Sequence, residues 1–257
     1  MNAQTKEHII KAMDKNIRFD GRKNDEFRPI TIQYGASSTA EGSTRVQFGD
    51  CEVIAGVKLG MGKPFDDRPK EGVLMVNAEM LPLSNPKYEG GQPGNDAIEL
   101  SRVIDRGVRE SHMIDNEKLC IKEGEKVWMV SVDISPINSD GELFDIAAFA
   151  TVAAIKDAVY PEIVDDKVDY HKKTNTHLPI QRVPVSITIY KFGNNYVVDP
   201  SEREIGAADA RLTLAFTEED EIVAMQKGGE TPFDINEVDT IIALAKKKSR
   251  ELRALLK

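Results

Sequence analysis

The chain has 257 residues, 40% of them hydrophobic and 30% charged, enough to bury a substantial core as one large domain or two smaller lobes. A formal net charge of −9 excludes a protein that coats nucleic acid or an anionic membrane with its whole surface, and leaves room only for a local basic strip. Two cysteines (Cys51 and Cys120), no basic and apolar leader, and no apolar run near the roughly 20 residues that span a bilayer lead us to expect a soluble, cytoplasmic protein with no disulfide framework and no membrane role.

Residues 5–17 place Ile9, Ile10, Met13 and Ile17 at helical spacing, and the polar stretch RFDGRKNDEFRP then predicts an ordered loop. From residue 43 the period changes to short β-type runs: STRVQF, a Gly49-Asp50 turn, CEVIAGVKL and, after a Gly/Pro-rich connection, GVLMVNAEML. YEGGQPGND breaks this pattern ahead of the helix ELSRVIDRGVRES. On that helix Arg102, Arg106 and Arg109 fall within roughly a 60° arc, while Leu100, Val103, Ile104 and Val108 gather on the other side. Glu99, Asp105 and Glu110 stand three or four residues from these arginines, so a solvated, internally paired face is the simple expectation.

EKVWMVSVDIS restores a strand, Asp140-Gly141 marks a turn, and Asp145 suits the N-terminus of the Ala-rich helix IAAFATVAAIKDAV. Residues 160–181 are polar and lack either period, which marks an internal boundary. Beyond it, VPVSITIYKF, NYVVD, ARLTLAF and EIVAMQK predict strands before a last helix. There Asp234 and Glu237 resemble a capping box, and Val238, Ile241, Ile242, Ala245, Leu252 and Leu256 form the apolar stripe. Strands followed by helices occur twice, which predicts two α/β lobes packed together.

No short catalytic signature is present: no phosphate loop, dinucleotide fingerprint, paired CxxC or HExxH. His171 and His177 lie six residues apart without a third ligand, Cys51 sits within a strand pattern as a small core residue, and Asp165, Asp166 and Asp169 read as an acidic turn. No metal and no cofactor is expected.

Several longer stretches carry a resemblance. FDGRKNDEFRPI, STRVQFGDCEVIAGVKLG, AIELSRVIDRGVRES and SDGELFDIAAFATVAAIKDA resemble the RNase PH family from about residue 18 to residue 250. Within it, EGVLMVNAEMLPLSNPKYEGGQPGNDAIEL and EKLCIKEGEKVWMVSVDI look nearest to the non-catalytic ring subunit of the archaeal exosome. The resemblance implies an α+β, RNase PH-like fold of two β-α-β-type lobes packed into one compact subunit, divided into an N-terminal helix and extension (1–27), a first lobe (28–160), a connection (161–181) and a second lobe with the C-terminal helix (182–257). It further implies a ring of three heterodimers in which this chain alternates with a catalytic RNase PH-like subunit, accompanied by RNA-binding cap subunits and acting on single-stranded RNA.

The same comparison implies lost chemistry. Active members carry an arginine pair before the EIELS-like helix where this chain has Asn95 and Asp96, and a phosphate-holding GGTR-like turn where it has Gly141, Glu142, Leu143 and Phe144. Of two aspartates six residues apart, Asp209 matches the second, while Arg203, beside Glu204, falls at the first. The expectation is therefore an inactive subunit that shapes a partner's site for 3′ to 5′ phosphorolytic RNA degradation. Arg102 and Arg106 would grip successive phosphates, with Arg109 a weaker contact. The alternative is an autonomous phosphorolytic exoribonuclease with Asp209 as general acid.

Overall fold

The computed structural model describes residues 3–165 and 167–256. The first helix, α1 (Ala3–Met13), buries Ile9 and Met13; the chain leaves the helix at Asn16, whose φ is +56°, so Ile17 lies beyond it and 54% exposed rather than on its apolar stripe. An ordered loop leads to β1 (Ile30–Tyr34), β2 (Gly42–Phe48), β3 (Cys51–Gly62) and β4 (Val73–Ala78). Helix α2 (Asn95–Glu110) follows, then a short β5 (Cys120–Lys122), the long β6 (Lys126–Asn138) and α3 (Phe144–Asp157). The strands form one sheet in the order β1-β2-β3-β6-β4 with β5 alongside β6; only the β4–β6 pairing is parallel.

The polar stretch read as a connection pairs as a hairpin, β7 (Val159–Val164) and β8 (Lys167–His177). Its strands are largely solvent-exposed, so no inward face imposes an apolar alternation and the strand signal is absent from the sequence. Asp165 occupies the turn at φ +49°, His171 and His177 project from β8 into solvent, and Asp166 lies outside the described residues. The second sheet is antiparallel, in the order β10 (Asn195–Val198), β9 (Val185–Phe192), β11 (Ala210–Phe216), β12 (Ile222–Gly229). A single-turn helix, α4 (Glu202–Ile205), precedes β11, and α5 (Ile235–Arg253) packs on this sheet through Ile241, Ala245 and Leu252.

Helix α3 explains how the two sheets share one core. Eleven of its residues, from Asp145 to Ile155, are buried, with small side chains that let both sheets approach. On β2 the approach is close enough that only Gly42 fits: a Cβ there would lie 2.5 Å from the Ala158 nitrogen. One continuous apolar cluster runs from Val46 and Phe48 through Phe149 to Ile187, Phe216 and Ile241. Helix α1 belongs to the second sheet, where Ile9 and Met13 meet Tyr190, Phe192, Val197 and Ala207.

The loop after α1 is fastened by buried charge. Asp199, 1% exposed, accepts hydrogen bonds from the Arg28 backbone N–H (2.8 Å), from Arg28 Nη2 (2.5 Å) and from Arg22 Nη1 (3.0 Å). Arg18 donates to both Glu204 oxygens, at 3.0 and 2.6 Å, and to the carbonyls of Val198 and Asp199. Glu204 closes a capping box with Ser201 at the start of α4, the S-x-x-E signal that the strand-centred reading passed over. No helix among the described residues is long and apolar enough to cross a membrane.

Candidate nucleic-acid interface

Helix α2 touches both sheets. Leu100, Ile104 and Val108 are buried, and Gly107 faces the second sheet, where a methyl group would sit in ordinary contact with Ser186 Oγ and the Ala215 Cβ. Between α2 and strands β9, β11 and β12 lies a cavity of about 320 Å3 whose edge carries Arg102 and Arg106. Val103, placed by helical periodicity among the core residues, is half-buried and lines this cavity instead, because α2 spans two sheets and its covered arc is not centred on one of them.

The acids predicted to neutralise the arginine stripe are engaged selectively. Asp105 forms a two-point pair with Arg109 (3.0 and 2.6 Å), which also donates to the Leu74 carbonyl at 2.9 Å. Arg109 thus braces α2 against β4, with its side chain still 39% exposed. Glu99 reaches the second sheet, where Arg211 Nη2 approaches within 2.6 Å while its guanidinium covers the Phe144 ring at 4.4 Å. Arg106 and Arg102 are left exposed. Arg106 makes a long 3.4 Å contact to the Gln226 side-chain oxygen, and Arg102 forms no hydrogen bond or ion pair among the described residues. Two cations four residues apart project from one helix face without an acidic partner, a geometry suited to successive phosphates of a strand.

Two places where active relatives are expected to bind phosphate have other occupants. Asn95 and Asp96 open α2 and border a wider cavity of about 840 Å3, whose charged lining is Glu79, Glu89, Asp96 and Asp133 against Lys87. At the N-terminus of α3 the Glu142 carboxylate accepts from the Phe144 N–H (2.7 Å) and the Asp145 N–H (2.8 Å). The chain therefore fills this anion-binding helix end with its own carboxylate. Burial pushes Glu142 up to about 7 against those two bonds. Asp145, expected to serve the helix start, is fully buried in the first turn and its carboxyl oxygens lack a hydrogen-bond partner. Burial and the adjacent Glu142 push its pKa well above the ordinary carboxylate value, and it is Glu142 that caps the helix.

Asp209 lies at the second sheet, bonded to Lys6 Nζ at 2.6 Å and to the Gly193 N–H at 2.7 Å. Partial burial opposes ionisation, yet the Lys6 and Gly193 bonds and the charges of Lys6 and Lys191 outweigh it and hold the carboxyl below its ordinary value. Arg203 is exposed on α4, and Cys51 is buried with its thiol pushed up to about 12 by burial. Arg211 is the functional neighbour that the sequence reading missed. Strand alternation offered the signal, since Arg211, Thr213 and Ala215 share the face of β11 that meets α2.

Residues 26–161 match domain 1 of the 3′ exoribonuclease family (RNase PH), and residues 182–248 match its domain 2. The chain is 44% identical over 258 residues to the exosome complex component Rrp42 of Methanopyrus kandleri, covering 99% of this chain and 97% of that protein. Against Rrp42 of Archaeoglobus fulgidus it is 42% identical over 253 residues, covering 98% and 95%. Its fold matches a chain of the Archaeoglobus fulgidus exosome with RNA bound to the active site at a TM-score of 0.90 and 40% identity, covering 99% of this chain and 98% of that one. A chain of an archaeal exosome core gives 0.86 and 38%, covering 97% and 95%. With both lobes matched in order and near-complete coverage, the chain belongs to the RNase PH, or 3′ exoribonuclease, family.

Proposed function

We propose that this chain is a non-catalytic structural subunit of an archaeal exosome, one that holds RNA for a catalytic RNase PH-like partner with which it alternates in a ring of three heterodimers. The names and lengths of its relatives support the assignment to the complex, and RNA-binding cap subunits are the further partners that assignment brings. The observation that carries the RNA-holding role is the pair Arg102 and Arg106, exposed beside a cavity and, among the described residues, free of acidic partners. They neutralise successive phosphates without reading bases, as suits degradation of unrelated sequences.

The non-catalytic reading rests on Glu142 and Asp209. Glu142 occupies the amides of α3 that an inorganic phosphate would need, and Asp209, ionised and bound to Lys6, has no proton to deliver at neutral pH. The competing assignment, an autonomous phosphorolytic exoribonuclease with Asp209 as general acid, needs the opposite displacement of that pKa. The test is to reverse both arginines, Arg102→Glu with Arg106→Glu, in the assembled complex and to measure binding of two unrelated RNA tails over a salt series. The slope of log affinity against log salt should flatten by about 1.4, from two contacts at roughly 0.7 each on single-stranded RNA, with degradation slowed. An unchanged slope and affinity would remove the arginines from the RNA path, and collapse of the assembly would make them a subunit bridge.

A further inference from the structure

The cavity beside the two arginines is more than their edge. Its interior is apolar where Val103, Ala215 and Ala224 meet, Ile98 and Met225 stand 42% and 43% exposed on its walls, and its volume of about 320 Å3 lies at the small end of organic-ligand sites. At the mouth, the Gln226 side-chain oxygen accepts the contact from Arg106 and keeps a free lone pair, while its amide nitrogen donates to the Lys227 carbonyl at 3.3 Å. Apolar walls, one amide and two guanidinium planes at the entrance describe a receptor for a flat, polar-edged ring attached to an anionic chain.

We propose that this cavity seats one nucleobase of the RNA strand, with its flanking phosphates on Arg102 and Arg106. The proposal rests on the RNA-holding role argued above and adds a base subsite to it. The spacing of the two arginines, about one helical turn, is comparable to that of adjacent phosphates in an extended strand, so a base between them is directed at the gap they frame. Recognition is by shape and stacking: the Met225 thioether and Ile98 contact the ring faces, an arginine plane covers it, and the Gln226 oxygen accepts from an amino or ring N–H at the base edge. Every base is accepted.

The experiment uses the assembled complex with its catalytic partner and single-stranded RNA carrying one 4-thiouridine, moved stepwise along the strand. Irradiation should attach the strand to Met225 or Ile98 from one position only, located by mass spectrometry of the peptides. An abasic nucleotide at that position should weaken binding at least roughly fivefold, the low end of what one stacked base contributes, while leaving the salt slope intact. Filling the cavity with Ala224→Leu should weaken binding of intact RNA by a similar factor and leave abasic RNA unaffected. The proposal is overturned if no position attaches to these residues in the unmodified complex, if the abasic strand binds as well as the intact one, or if Ala224→Leu prevents assembly, which would show a partner side chain in the cavity. Loss of the arginine salt effect would overturn the RNA-holding role itself; a retained salt effect without base dependence would overturn the subsite alone.

Discussion

Replacing Asp199 with alanine tests whether buried charge fastens the N-terminal loop to the second lobe. The carboxylate is 1% exposed and receives the backbone N–H and the guanidinium of Arg28 together with Nη1 of Arg22. Removing it leaves Arg28, whose side chain is 7% exposed, with only Asp140 and its carbonyl, and Arg22 with the more exposed Asp20 and backbone carbonyls. Breaking one side of a buried pair costs about 3–5 kcal/mol, chiefly because the remaining charge has lost its compensation. At about 2–4 °C per kcal/mol for a chain of this size, the melting temperature should fall by roughly 6–20 °C. The measurement is thermal unfolding followed by near-ultraviolet circular dichroism, with hydrogen exchange locating the opening around residues 18–30 and 198–205. A change below about 1 kcal/mol, or exchange that accelerates elsewhere and not there, would refute the reasoning. Cutting the exposed pair Lys122–Glu125 should leave the transition unmoved.

Two further outcomes follow from the carboxylates of the altered site. Glu142, raised by burial to about 7, contributes stability that is fully present below about pH 4.5 and is lost as pH rises through 7. The unfolding free energy of the unmodified chain minus that of Glu142→Gln, from urea titrations, should therefore fall by an amount on the order of 3 kcal/mol across that window, and parallel curves would disprove the assignment. The isolated chain, incubated with RNA and inorganic phosphate, should release no nucleoside diphosphates. Phosphate-dependent release that disappears in Asp209→Ala would instead establish the autonomous enzyme.

Local periodicity sufficed for much of the architecture. The alternation in STRVQF and CEVIAGVKL, the Gly49-Asp50 turn and the Asp234/Glu237 capping box are signals within a few residues, and each forms the element it predicts. The Ala-rich composition of α3 likewise announced a helix packed on all sides, which is the element that joins the two sheets. The hairpin at 159–177 escaped because largely exposed strands carry no apolar alternation.

The site divides differently. Sequence alone placed three arginines on one helix face, but which remain available depended on residues far along the chain: Arg211, more than a hundred residues away, takes Glu99, while Asp105 and the Leu74 carbonyl take Arg109. The departures at Glu142 and Asp209 were visible as letters; their consequences were not, because a carboxyl's proton affinity is set by surroundings assembled from distant segments. Burial raises one and Lys6, from a helix at the other end of the chain, lowers the other. Side-chain period is a local property fixed by the backbone, whereas charge pairing and desolvation depend on what the fold brings within a few ångströms.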